Sequence, residues 1–147
     1  MQSYKKYEIL PSITIGQAIL ESGWGKSELA VNYNNLFGIK ADSRWDGAVA
    51  TIVTSENYND IITANFRKYK NIYESIEDHG QFLYENTRYT KSGLFEAKDY
   101  ISQAQSLEDA GYSTAKNEAG EAIYADKLIG IIQKYNLMLY DTEVLRN

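Results

Sequence analysis

The stretch QAILESGWGKSELA, residues 17–30, places a single carboxylate, Glu21, between an apolar run and a glycine-flanked tryptophan. The run from Ile13 to Leu20 predicts a helix, and the two glycines predict that it ends directly after Glu21. A carboxylate there faces the negative end of the helix dipole, which costs about 0.3–1 kcal/mol. Desolvation by the apolar helix and by Trp24 would add to this effect, so we expect a raised pKa and the role of a general acid.

Hydrolysis of a glycosidic bond usually needs a second carboxylate, which stays ionised on the other side of the bond. Glu56 is the candidate, because it lies in a different predicted element and can face the acid across a groove. Asp42, Asp46 and Asp60 are rivals that spacing alone does not exclude. The structural alternative is that Glu21 is a paired helix-end carboxylate and Glu56 a solvated strand residue.

The composition excludes several other chemistries. The chain has no cysteine and one histidine, His79, so thiolate and multi-histidine metal sites are excluded, and we expect neither metal nor cofactor. A net charge of −5 without clustered Lys and Arg argues against a nucleic-acid partner. No apolar run approaches the roughly 20 residues of a membrane span. The 13 tyrosines suit stacking on sugar rings, although most are expected in the core or at its rim.

Helices make up most of the predicted structure. After the first helix, Ser27 is expected to cap a short second one. A further helix is predicted to begin at Ser75, because apolar residues recur behind it at helical spacing. Two more are predicted from Tyr100 to near Gly111 and from Ile123 to Tyr135, separated by the polar loop STAKNEAGE.

Between Phe37 and Tyr69 the pattern changes to β structure. The arms AVATIVT and IITANF, with NYND between them, predict a hairpin. Alternation places Glu56 on the same face as Ile52 and Thr54. The predicted fold class is therefore α+β and mainly α, a helical domain with a small β-hairpin lobe flanking a substrate groove.

The segment ILPSITIGQAILESGWGKSELAVNYNNLFGIKA, residues 9–41, closely resembles the bacterial peptidoglycan-cleaving glucosaminidases of glycoside hydrolase family 73. This family includes autolysins, phage lysins and the flagellar muralytic enzyme. The resemblance continues through TSE at 54–56, FRKY at 66–69, ESIEDHGQFL at 74–83, GY at 111–112 and YADKL at 124–128. It therefore covers most of the chain.

The resemblance implies a lysozyme-like fold and cleavage of the β-1,4 bond after N-acetylglucosamine in the glycan strand. By position, the glutamate of the ESGWG motif is Glu21, the general acid. The glutamate of the T-x-E motif is Glu56. Its role stays open: it could be a water-activating base or a nucleophile, or the substrate's own N-acetyl group could assist the reaction instead. The tyrosine of the GY motif is Tyr112, which is expected near the cleaved bond.

A further set of residues is expected to line or support the groove and to bind substrate. Asn35, Phe37 and Tyr124 are assigned by the resemblance, and Trp24 and Trp45 are aromatic candidates for contact with sugar. Each has an alternative role in packing. His79, on an apolar helix face, is expected to be a structural histidine.

Two other functions stay open at this stage. A lytic transglycosylase or muramidase would use Glu21 alone, and a non-catalytic cell-wall glycan-binding domain would use neither glutamate. The short segment before Pro11 suggests that residues 1–147 form one catalytic domain excised from a larger protein. We expect a monomer that acts on peptidoglycan outside the cell or in the wall, with the export signal elsewhere.

Overall fold

The computed structural model describes the backbone of residues 2–57 and 60–145. It also describes their side chains, except those of residues 2, 3, 5, 54–57, 60 and 62. Tyr58 and Asn59, at the centre of the predicted hairpin turn, lie outside the described residues.

Helices account for most of this part of the chain, as the spacing of apolar side chains predicts. In chain order the elements are α1 (Gln2–Tyr7), α2 (Pro11–Ser22), α3 (Glu28–Tyr33), β1 (Val49–Asn57), β2 (Asp60–Arg67), α4 (Ile72–Glu85), α5 (Thr87–Lys91), α6 (Tyr100–Asp109), α7 (Tyr124–Lys134) and α8 (Leu139–Leu145). The mainly helical α+β fold class is thereby confirmed.

The chain divides into two compact units. The first comprises Met1–Gln17 and Gly80–Asn147, and the second comprises Ala18–His79. Helices α2 and α4 each supply residues to both units. That residues 1–147 act as a single catalytic domain remains a prediction.

The core of the first unit is built around α7. Leu128 and Ile132 are fully buried and lie one helical turn apart. Helix α2 packs closely here, because a Cβ at Gly16 would lie 2.7 Å from Leu128 Cδ1. The other large apolar side chains that are fully buried in this unit are Ile9, Leu10, Ile13, Leu83, Tyr89, Leu94 and Leu107.

Two buried polar side chains connect distant parts of the first unit. Gln103 accepts a hydrogen bond from the Leu10 amide at 3.0 Å and donates one to the Glu8 carbonyl at 2.9 Å. Asp141 accepts hydrogen bonds from the amide and hydroxyl of Ser12, at 2.8 Å and 2.5 Å. The first amides of a helix have no partner within it, so Asp141 caps the start of α2.

In the second unit, β1 and β2 form the predicted hairpin. Their antiparallel pairing begins with Val49 opposite Arg67 and continues without interruption to Ser55. The register then shifts between Ser55 and Asn57, which makes Glu56 the extra residue of a bulge. The predicted alternation therefore holds as far as Ser55 and is broken at Glu56.

Helix α4 begins earlier than the sequence predicts. It starts at Ile72, where the Asn71 side chain accepts a hydrogen bond from the Glu74 amide at 2.9 Å. The prediction of a start at Ser75 was wrong, because Ser75 is fully buried and its hydroxyl accepts a hydrogen bond from the Leu36 amide. Asn71 is therefore the residue that caps this helix.

His79 lies in the core of the second unit, as expected of a structural histidine. Its side chain is fully buried, and its ring stacks on Phe37 with 3.9 Å between the ring centroids. Burial lowers the pKa of His79 from 6.5 to about 3, because an apolar environment disfavours the charged imidazolium.

Replacement of two helical glycines should change stability in opposite directions. A Cβ at Gly80 would lie 2.4 Å from Cδ2 of the buried Tyr7 ring, so Gly80→Ala should cost about 1–3 kcal/mol of unfolding free energy. Gly130 has no atom within 4 Å of such a Cβ, so Gly130→Ala should gain up to about 1 kcal/mol through helix propensity. Urea unfolding measures both changes. A Gly80→Ala variant as stable as Gly130→Ala would contradict the packing on Tyr7.

Because of His79, the free energy of unfolding should decrease as the pH is lowered from 6.5 to about 3. In this window the unfolded histidine binds a proton and the folded one does not, so lower pH favours unfolding, by about 1 kcal/mol per pH unit. His79→Phe keeps a buried ring and should remove this slope. The measurement is the difference in unfolding free energy between wild type and variant at each pH in this window. Carboxylates that both proteins share contribute equally and drop out of that difference. A constant difference would show that His79 does not resist protonation.

Candidate active site

Helix α2 ends in a left-handed turn directly after Glu21. Gly23 has φ 57° and the Trp24 amide donates a hydrogen bond to the Ile19 carbonyl at 3.1 Å, the pattern of a Schellman motif. Gly25 also has positive φ, at 76°. The predicted end of the helix at the two glycines is therefore confirmed, and Glu21 lies in the last turn, at the negative end of the helix dipole.

Trp24 adopts a backbone conformation that is unfavourable for a large side chain. Its φ is 62°, and its side chain is 53% exposed. A left-handed backbone costs such a residue about 1–2 kcal/mol. The Ser22 hydroxyl stabilises this turn, because it accepts a hydrogen bond from the Gly25 amide at 2.7 Å and donates one to the Ala18 carbonyl. The turn thus holds an aromatic side chain at the surface of the second unit.

The side chain of Glu21 is exposed. The expectation that the apolar helix and Trp24 desolvate it was therefore wrong for the free protein, in which Trp24 is itself exposed. An exposed carboxyl group is accessible to a ligand.

Glu56 lies in β1 at the bulge, and its side chain lies outside the described part of the structure. Its role as the second carboxylate therefore stays a prediction, as does the role of Asp60. Asp42 is occupied in ion pairs with Arg44 and Arg67, at 3.1 Å and 3.3 Å.

Asn35 is buried, with 1% exposure, and its side chain holds the loop after α3. Its Nδ2 donates hydrogen bonds to the carbonyls of Ile39 and Arg67, at 3.1 Å and 2.8 Å. Its Oδ1 accepts hydrogen bonds from the amides of Gly38 and Ile39. All of its polar atoms are used in this way, so it supports the loop from within and does not contact sugar in this conformation.

Phe37 is also buried, with 3% exposure, where it stacks on His79. It therefore supports the second unit by packing and does not present a face for sugar. The alternative role in packing describes both Asn35 and Phe37.

Trp45 is half-buried in the loop before β1. Its indole N–H donates a hydrogen bond to the Ala48 carbonyl at 2.8 Å, and the Arg67 guanidinium lies 4.9 Å from its ring centroid. Gly47 packs directly on the ring, because a Cβ there would lie 2.5 Å from Trp45 Cζ2. These contacts fix the indole and leave part of it exposed.

Arg67 is the buried cation of the second unit, with 6% exposure. Its Nη1 donates a hydrogen bond to Asp78 at 2.9 Å, and the Tyr69 hydroxyl donates to the same carboxylate at 2.5 Å. Burial raises the pKa of Tyr69 far above its usual value, and the Asp78 carboxylate acts in the same direction. The sequence motif FRKY contains both residues, but only the fold brings Asp78 to them.

In the first unit, Tyr112 and Tyr124 lie together. Their rings stack with 5.5 Å between centroids and 26° between planes. Tyr112 is half-buried, whereas Tyr124 is 3% exposed and its hydroxyl accepts a hydrogen bond from Gln17 Nε2 at 2.8 Å. Tyr124 therefore supports Tyr112 and does not line a surface in this conformation. The sequence reasoning missed Gln17, whose signal is a polar residue one helical turn before Glu21 in an apolar helix.

The loop between Tyr112 and Tyr124 is a small ordered hairpin. Lys116 and Ala122 form an antiparallel bridge, and the Asn117 side chain accepts a hydrogen bond from the Glu121 amide at 2.9 Å. The prediction of a polar loop is confirmed.

No group of three or more His, Cys, Asp or Glu side chains among those described in residues 2–57 and 60–145 could hold a metal ion. Within the same ranges, no helix combines the length and the apolar character needed to cross a membrane.

A family model described as mannosyl-glycoprotein endo-beta-N-acetylglucosaminidase matches residues 1–137. The chain is 43% identical over 144 residues to an exo-glucosaminidase, LytG, of Bacillus subtilis. It is 36% identical over 140 residues to a peptidoglycan hydrolase, FlgJ, of Vibrio parahaemolyticus. These alignments cover 94% and 91% of the chain but 48% and 43% of the two relatives, so the chain spans about half of their length.

Solved structures show the same fold. The catalytic domain of the autolysin Auto from Listeria monocytogenes superposes with a TM-score of 0.79 at 37% identity, over 95% of this chain and 80% of that one. The glycoside hydrolase domain of FlgJ from Salmonella typhimurium gives a TM-score of 0.74 at 31% identity, over 97% and 84%.

The chain therefore belongs to the glucosaminidase family, glycoside hydrolase family 73. This confirms the family identified from the sequence motifs, the lysozyme-like fold class and the assignment to the glycoside hydrolases.

Substitution of Asn35 tests whether this residue supports the fold or binds sugar. Asn35→Ala removes four hydrogen bonds, three of them buried, so we expect a loss of about 2–4 kcal/mol of unfolding free energy. Thermal and urea unfolding measure this loss, and binding of glycan is measured at a temperature where the variant is folded. Weakened binding with unchanged stability would instead make Asn35 a substrate contact.

Proposed function

We propose that this chain hydrolyses peptidoglycan at the β-1,4 bond between N-acetylglucosamine and N-acetylmuramic acid, with Glu21 as the general acid. The observation that carries the proposal is the placement of Glu21, an exposed carboxyl group in the last turn of α2, within the region that matches the family. The names of the relatives, an exo-glucosaminidase and a peptidoglycan hydrolase, support the substrate class.

In this mechanism Glu21 donates its proton to the glycosidic oxygen as the bond to C1 of N-acetylglucosamine breaks. The leaving group departs as the 4-hydroxyl of muramic acid, and positive charge develops at C1 and the ring oxygen. Glu56 is the candidate for the group that stabilises this charge or activates the water that attacks C1. The substrate's own N-acetyl group can serve instead, in which case Glu56 would matter less.

Tyr112 is proposed to lie near the cleaved bond, and its environment supports such a role. It is half-buried, and the buried Tyr124 stacks on its ring at 5.5 Å. A tyrosine fixed by packing can present its hydroxyl to a ligand without first losing rotational freedom. Tyr124 and its partner Gln17 then act by positioning Tyr112.

Trp24 and Trp45 are the proposed sugar contacts of the second unit. Both keep exposed surface; the glycine turn sets the backbone of Trp24, and Arg67 and Gly47 fix the ring of Trp45. Aromatic rings bind the apolar faces of sugars and gain more when they are held in place. Asn35 and Phe37 act from within the unit, Asn35 by holding the loop after α3 and Phe37 by stacking on His79.

The proposed place of action is the cell wall, outside the membrane, and the proposed state is a monomer. Cleavage is proposed to be internal to the strand, in line with the family description. The size of early products tests this, because an endo enzyme shortens strands quickly whereas an exo enzyme releases small sugars from one end.

Replacement of the acid should abolish turnover and leave binding intact. Glu21→Gln keeps the shape and loses the proton, so we expect turnover to fall by about 10²-fold or more with unchanged affinity for glycan. The matched control is Glu28→Gln, which changes another exposed glutamate in α3 and should leave turnover unaltered. Turnover is measured on purified peptidoglycan as new reducing ends. Retained turnover in Glu21→Gln would remove this residue from the role of acid.

The chemical nature of the new ends separates the open functions. After borohydride reduction and mass spectrometry, reduced N-acetylglucosamine ends support the proposal. Reduced muramic acid ends would indicate a muramidase, anhydro ends a transglycosylase, and the absence of new ends a glycan-binding domain. Glu56→Gln should lower turnover less than Glu21→Gln if the N-acetyl group of the substrate assists.

A further inference from the structure

Arg88, in α5, is an exposed cation that the first unit holds in a defined position. Its guanidinium carbon lies 4.8 Å from the ring centroid of Tyr89, which is fully buried. Its Nη1 lies 3.5 Å from the carbonyl oxygen of Gly111, a long hydrogen bond. A guanidinium group stacked on a fixed aromatic ring loses little freedom when it binds a further group.

No carboxylate among the described side chains pairs with Arg88, although the chain carries a net charge of −5. Arg67 and Arg44 pair with aspartates, whereas Arg88 forms no ion pair with any side chain that the structure describes. Among the described residues its guanidinium donates a hydrogen bond to the Gly111 carbonyl and also interacts with the Tyr89 hydroxyl. A guanidinium has five N–H donors in a planar fork, so donors remain for an external ligand beside those directed at Gly111 and Tyr89.

Arg88 lies beside Tyr112, the residue proposed to act near the cleaved bond. Gly111, to which Arg88 donates, directly precedes Tyr112 in the chain. The ring of Tyr89, on which Arg88 stacks, lies 6.2 Å from the ring of Tyr112 between centroids. A ligand placed against Tyr112 would therefore find the unused donors of Arg88 within the same unit.

We propose that Arg88 is a specificity-determining residue that binds a carboxylate of the glycan strand. This inference rests on the proposed function, because peptidoglycan supplies such groups in two places. One is the lactyl carboxylate of muramic acid, which is free where the peptide stem has been removed. The other is a carboxylate of the stem itself. Both fit the planar fork of a guanidinium, which pairs with carboxylates through two parallel hydrogen bonds.

The test compares soluble glycan strands that differ in their carboxylates. The first set carries peptide stems. The second has been freed of stems by an amidase and so exposes lactyl carboxylates. The third is the second set with those carboxylates converted to methylamides. Turnover of wild type, Arg88→Gln and Arg88→Lys on each set gives KM and kcat, and circular dichroism checks that each variant is folded.

The expected result is a change in KM that follows the carboxylate. If the lactyl group is the ligand, methylamidation raises the KM of wild type by about 10- to 100-fold, the scale of a charged hydrogen bond. On strands with free lactyl carboxylates, the KM of Arg88→Gln is then higher than that of wild type. Methylamidation of these strands does not change the KM of Arg88→Gln. If the stem is the ligand, the KM of Arg88→Gln rises on stem-bearing strands alone. Arg88→Lys keeps the charge and should lie between the two.

Lys91→Gln is the matched control, because it removes the same charge from the same short helix. It should leave every KM unchanged. The inference is overturned if Lys91→Gln and Arg88→Gln behave alike, or if Arg88→Gln lowers kcat equally on all three sets, as a purely structural role requires.

Wild type alone also tests the inference, because it needs no variant to fold. Equal KM values of wild type on stem-bearing, free-lactyl and methylamidated strands would overturn the carboxylate site and leave the proposed hydrolysis intact. A wild type that cleaves none of the strands would instead contradict the proposed function.

Discussion

The termination of α2 is the constraint on which the candidate site depends. Three successive residues, Gly23, Trp24 and Gly25, have positive φ, so the helix cannot continue past Ser22. This places Glu21 in the last turn, where the helix dipole opposes its negative charge and where its side chain is exposed. Two unfavourable features thus lie within four residues: the left-handed backbone of Trp24 and the negative charge of Glu21 at the helix end. Such unfavourable conformations persist where surrounding groups stabilise them. Here the Ser22 hydroxyl does so by accepting a hydrogen bond from the Gly25 amide.

The second unit is held by polar groups as much as by apolar packing. Asn35 joins the loop after α3 to the end of β2, and Arg67 joins the same strand to Asp78 in α4. Because Arg67 is buried, loss of its partner would leave an uncompensated charge, which is far more costly than the loss of an exposed ion pair. The network therefore specifies one arrangement of loop, strand and helix. Trp45 is fixed by its contact with the same guanidinium, so the surface it exposes is determined by groups beneath it.

Local signals in the sequence predict the elements better than their ends or their contacts. The hairpin, α6 and α7 follow from alternation and helical spacing, because each signal lies within the element itself. The sequence pattern predicts Ser75 as a helix cap, but its hydroxyl accepts a hydrogen bond from the Leu36 amide, 39 residues away in the chain. Asn71 caps the helix instead. The cap of α2 comes from Asp141, 129 residues after Ser12, which no local pattern predicts. The expected desolvation of Glu21 fails for a related reason, since an apolar run along a helix does not fix how exposed its last turn is, and Glu21 is exposed.

The exposure of Glu21 has a consequence for how the proposed acid works. In the free protein its carboxyl group is hydrated, so the helix dipole is the part of the sequence argument that remains. A bound sugar chain would displace that water and supply the desolvation that the protein itself does not, and loss of hydration favours the neutral, proton-bearing form. Binding of the substrate would then itself favour the protonated form of Glu21 that the reaction needs. Under the proposed function this explains why a catalytic carboxyl group can lie at an open helix end, since it must reach the glycosidic oxygen and needs to be protonated only when that oxygen is present.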